Sequence, residues 1–139
     1  MNMQRHSFVV ILAFCAVFAA LPAHAEDRCS GVAIPEVRSL KALPIQLRHV
    51  LPGATSGLDG IADRGGRFNV TDVTDHDLPM RRFVLAAVGT SCAVIAVEYG
   101  GRAHGFELTE YRLTDEAWKA VQHRAVLGEP KSTKDLLTF

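Results

Sequence analysis

Asp72, Asp75, His76 and Asp77 fall within six residues of "RFNVTDVTDHDLPMRR", the stretch from Arg67 to Arg82. Three carboxylates and an imidazole at that density could hold a cation through hard oxygens and one nitrogen, or supply acid and base groups for hydrolysis. A calcium loop, however, needs carboxylates at alternate positions, a glycine to turn, and a closing bidentate acid, and "DVTDHD" lacks that pattern. A catalytic zinc would need His76 joined by a second histidine or an acid, with His104 the candidate. The favoured reading is a solvated polar loop leading into a strand, so no metal is assigned.

Other chemistry is equally undetermined. Glu98 and His104 could act as general acid and base, with Arg81 or Arg102 stabilising an anion; cross-strand ion pairing of Arg81 with Glu98 is the simpler account. Ser56, Ser91 and Ser132 lie in no G-x-S-x-G elbow. "GLDGIADRGGRF" has neither the lysine nor the strand-to-helix setting of a phosphate loop, so its glycines are read as turn formers. Asn69 opens the sequon Asn-Val-Thr, which matters only where glycosylation occurs. No motif implies a cofactor.

The chain of 139 residues begins with Arg5 ahead of an apolar run from Phe8 to Leu21 and an Ala23-His24-Ala25 triplet. That run is roughly 14 residues, short of the ~20 that cross a bilayer, so residues 1–25 read as a signal peptide cleaved after Ala25. The remainder, residues 26–139, suits a single secreted or periplasmic domain with no further membrane span. Its 14 basic and 15 acidic residues nearly cancel, which argues against a nucleic-acid partner, since phosphate backbones demand a basic patch. Cys15 leaves with the signal, and Cys29 and Cys92 are expected to form a disulfide.

The elements that must position these groups follow from periodicity. Leu43, Leu47, Val50 and Leu51 predict a short helix, Pro44 to Leu51. A glycine-rich loop follows, with at most a brief strand near Phe68 to Val70. Three strands come next, Arg82–Val88, Ser91–Tyr99 and Arg102–Leu113, joined through Gly89-Thr90 and Gly100-Gly101. A helix is expected from Thr114, with Trp118, Val121 and Ala125 as its buried stripe and Gly128 and Pro130 stopping it, and the tail from Lys131 to Phe139 is expected to fray.

Two-residue turns would set Arg81 opposite Glu98, Arg82 opposite Val97, and Val97 opposite His104. They would put Phe83, Leu85, Val94 and Ala96 on the face of Cys92, and Val84, Ile95, Phe106 and Leu108 on the other. Polar groups would gather at one end: Arg81, Arg82, Glu98, Tyr99, Arg102 and His104, with the loop Asp72, Asp75, His76 and Asp77 delivered to them by Pro79.

The expectation is therefore an α+β domain: an antiparallel meander of three to four strands, a short N-terminal helix, a C-terminal helix packed on one face, and one disulfide. Small size, export and the lack of a reaction motif favour a non-enzymatic binding protein. An inhibitor or immunity-type factor engaging another protein in the envelope or extracellular space fits, with those ten polar residues as its surface. A small metal-dependent or acid/base hydrolase and a cell-envelope structural component are the alternatives.

Overall fold

A computed structural model of the chain describes residues 34–51 and 60–138, together with Cys29 and Gly53. The proposed signal segment lies outside the described residues. In chain order the elements are β1 (Glu36–Val37), a 3-10 turn (Leu40–Ala42), α1 (Ile45–Val50), β2 (Ile61–Ala62), β3 (Arg81–Val88), β4 (Cys92–Tyr99), β5 (Gly105–Thr114), β6 (Ala117–Val126) and α2 (Thr133–Leu137). The expected disulfide joins Cys29 to Cys92 at the start of β4.

The sheet has six strands, not three to four. β3 to β6 form an antiparallel meander, while β1 and β2 share the outer edge of β3, β1 antiparallel near Ala86 and Ala87 and β2 parallel beside Arg81 and Arg82. The additional meander strand is the segment expected to be a helix. Thr114 to Ala117 instead makes a two-residue hairpin turn in which Asp115 and Glu116 both take positive φ, the backbone twist such turns require. Trp118 is buried as expected, but Val121 and Ala125 are exposed. A bulge opposite Glu110 and Tyr111 interrupts the alternation of β6. That interruption hides a strand's period of two and leaves a spacing that reads as helical.

β4 is central and buried on both faces, as its unbroken apolar run requires. On one face Leu43, Leu47 and Leu51 from α1 and its flanks pack with Phe83, Ala86, Ile95, Val97, Tyr111 and Trp118. On the other, Leu136 of α2 and the disulfide close over Val84, Leu85, Ala87, Val94, Ala96 and Leu108. The tail is thus not frayed over Thr133–Leu137. Ser132 and Asp135 form a reciprocal capping box at its start, the Thr133 N–H donates to Glu36 on β1, and Leu136 is fully buried. The expected brief strand at Phe68 to Val70 is irregular chain, belonging to none of the sheet's strands.

The register also differs. The β3–β4 connection is two residues longer than expected, pairing Val88 with Ala93, and a bulge between Phe83 and Leu85 returns one residue, so Arg82 faces Glu98. Val84 and Leu85 consequently point to the same side, and Phe83 moves to the face opposite Cys92. The β4–β5 turn spans Gly100 to His104, so Val97 pairs with Glu107 rather than His104. Ile95 therefore belongs with Phe83 and Tyr111, not with Phe106 and Leu108.

Asp63, just after β2, staples that edge. Burial raises its carboxyl pKa, but the Leu40 N–H, the Ser39 hydroxyl, the Arg64 N–H and the Lys41 charge outweigh it and hold the group below its usual range. A depressed folded pKa stabilises above the unfolded value and is lost on acidification. Urea midpoints of the native chain should fall below about pH 4, and less steeply for Asp63→Asn. Leu136→Ala should cost about 3 kcal/mol in the same assay, while Leu127→Ala, at a fully exposed position, should stay within about 0.5 kcal/mol.

Candidate functional site

The ten polar residues divide between two faces and a rim. Glu98 ends the apolar run of β4 with its side chain 8% exposed, and Arg82 from β3 donates to Glu98 Oε2 through Nε at 3.0 Å and Nη2 at 2.6 Å. The other oxygen, Oε1, lies 2.7 Å from His104 Nε2 in the β4–β5 turn. A buried carboxylate needs such compensation, because desolvation would otherwise outweigh its favourable contacts. The Arg82 guanidinium also stacks 4.5 Å over the Phe68 ring, and the His104 ring meets Phe106 edge-on at 6.0 Å. This arrangement orients a half-exposed imidazole, but it engages both carboxylate oxygens in doing so.

Arg81 and Tyr99 are paired across β3 and β4 and face the opposite side of the sheet from that cluster. The expected Arg81–Glu98 pair is thus an Arg82–Glu98 pair. Arg81 instead lines a recess of about 260 Å³ with Glu107, Thr109, Tyr111 and His123. His123 Nε2 is 3.0 Å from Glu107, on a strand rather than the expected helix. The Tyr111 hydroxyl has its pKa raised, by burial first and by Glu107 second, with the Thr109 hydrogen bond and Arg81 opposing.

At the rim, Arg102 Nε reaches Asp72 at 3.6 Å with both side chains largely solvated, a contact worth little on its own. Asp75 Oδ1 accepts the Asp77 N–H, closing a local turn, and His76 is exposed. Among the described residues no three His, Cys, Asp or Glu side chains gather as a metal site.

Sequence reasoning missed the residue that organises the loop. Asn69 is 4% exposed; its Nδ2 donates to the carbonyls of Asp75 and Leu78, its Oδ1 accepts the Asp75 N–H, and its own N–H donates to Pro79. The amide nitrogen that a sequon would glycosylate is therefore enclosed. Asparagine commonly bridges loop backbone in this way, which was the available signal. Gly100 is its counterpart: a Cβ built there would lie 1.6 Å from the Asn69 carbonyl oxygen, so only glycine lets the turn and loop meet. Gly100 N–H donates to Met80 and Gly101 N–H to Val70, completing that junction.

Arg82→Leu should destabilise the protein by about 3 kcal/mol in urea unfolding, because it strands a buried carboxylate, and Arg82→Leu/Glu98→Leu should recover most of that loss. A double variant as unstable as the single one would show that the pair contributes through packing alone. Searches against protein-family models, curated proteins and solved structures find no match to this chain.

Proposed function

We propose that this protein is an exported, non-enzymatic binding protein, an inhibitor or immunity-type factor whose acidic loop engages a basic cleft on another protein outside the cytoplasm. One observation carries the reading: the segment Val70 to Asp77 is exposed throughout, yet it is pinned from within by buried Asn69. A loop held in one shape before binding loses less entropy when it docks, which favours recognition by a rigid partner. At its crest Val73 is 83% exposed, flanked by Asp72 and Asp75, so an apolar tip is presented within negative charge. Acidic surroundings steer encounter with a basic partner, and the apolar tip supplies burial once docked.

The disulfide, and the lack of any described helix long and apolar enough to cross a membrane, are compatible with an extracytoplasmic setting. The hydrolase alternative rests on the Glu98–His104 contact, but that carboxylate is already committed to Arg82 as well.

A photo-crosslinking residue placed at Val73 should capture one stoichiometric protein partner in producing cells, whereas the same probe at Leu127 should not. Reversing charge with Asp72→Lys/Asp77→Lys should weaken the purified pair at least about tenfold, and added salt should weaken the native pair. Unchanged affinity in the double variant, or hydrolytic turnover abolished by His104→Ala, would defeat this reading.

A further inference from the structure

On the sheet face opposite Glu98, beside α1, lies a second recess of about 270 Å³. Leu40, Ile45, Leu51 and Ile61 form its apolar walls, and among the described residues the ionisable groups of its lining are all bases: Lys41, Arg48 and His49. Arg48 Nε is buried and has no hydrogen-bond partner among the described residues. The neighbouring acid, Asp63, accepts hydrogen bonds from the Leu40 N–H, the Ser39 hydroxyl and the Arg64 N–H and also feels the Lys41 charge. An apolar wall with a basic rim describes a receptor for an apolar body with an anionic end.

We propose that this recess binds a small amphiphilic anion, its hydrocarbon part against Leu40, Ile45, Leu51 and Ile61 and its carboxylate on Arg48 and Lys41. Its volume lies just below the usual range for ligand pockets, which suits a chain of roughly eight carbons rather than a long lipid tail. Charge-assisted hydrogen bonds from guanidinium to carboxylate are the strong kind, so the head group carries the selectivity and the chain the general affinity. The loop proposed above for protein recognition plays no part in this site, and the two readings stand or fall separately.

The single tryptophan, Trp118, belongs to the same core cluster as Leu51 and provides the signal. Titrating sodium octanoate should change Trp118 emission saturably, and 1-octanol should bind about tenfold more weakly. Arg48→Gln should lower octanoate affinity about tenfold and leave octanol unchanged. Ile45→Glu, at a position 53% exposed and therefore tolerant of charge, should abolish octanoate binding without altering the melting temperature. Equal affinity for octanoate and octanol, or native-like octanoate binding by Arg48→Gln, would overturn the proposal. So would co-sedimentation with anionic phospholipid vesicles in the absence of octanoate binding, which would assign the basic rim to a membrane surface.

Discussion

A strand that is apolar on both faces can be stable only if both faces are covered, and β4 sets that constraint for the whole domain. Val94 and Ala96 point one way, Ala93, Ile95 and Val97 the other, and neither set can be left to water. Two separate covers therefore have to be found from a short chain. α1 supplies one through Leu43, Leu47 and Leu51; the other comes from Cys29 through its disulfide and Leu136 through α2. The hydrogen bond from the Thr133 N–H to Glu36 then ties the start of α2 to β1. Closing a loop between cysteines 63 positions apart removes disorder from the unfolded chain worth about 4 kcal/mol, a large fraction of a small fold's total stability.

How far this was legible in the sequence depends on how local each signal is. The run Cys92 to Tyr99 identified the central strand because continuous burial leaves a continuous apolar record. α1 was legible because Leu43, Leu47 and Leu51 repeat with a helix's period and proline stands at the start. α2 had a local mark too, serine followed three residues later by aspartate, but a five-residue helix has too little periodicity to draw attention to its cap. β6 is hard to read from sequence because it is an edge strand. Its side chains are mostly exposed and many are polar, as suits an edge, and its bulge breaks the alternation that marks a strand.

The candidate site shows how one residue of register redistributes chemistry. The β3–β4 connection shifts pairing by two residues, which preserves every face, and the bulge at Val84 then removes one, which reverses every face beyond it. Leu85, on the turn side of the bulge, lies where sequence arithmetic put it; Phe83, Arg82 and Arg81 do not. Glu98 is thereby given Arg82 as its partner while Arg81 goes to the recess with Tyr111. No spacing rule locates a bulge, because it is decided by how the two packed layers fit together, a property of the assembled sheet. His104 nevertheless reaches Glu98, because it belongs to the turn itself and does not depend on ladder register.

Buried charge at the end of β4 explains why the rim is rigid enough to present anything. Glu98 cannot remain beneath that rim without Arg82, and Arg82 is held in place from above by the Phe68 ring. Phe68 is followed directly by Asn69, whose amide fixes the loop and whose carbonyl sits against Gly100. A continuous chain of contacts thus runs from the buried carboxylate to the exposed crest at Val73. Solvated pairs such as Asp72 with Arg102 could break without consequence for that path. The aspartates of the loop are therefore not what shapes it: buried groups beneath set the conformation, and the carboxylates remain exposed to act on whatever approaches.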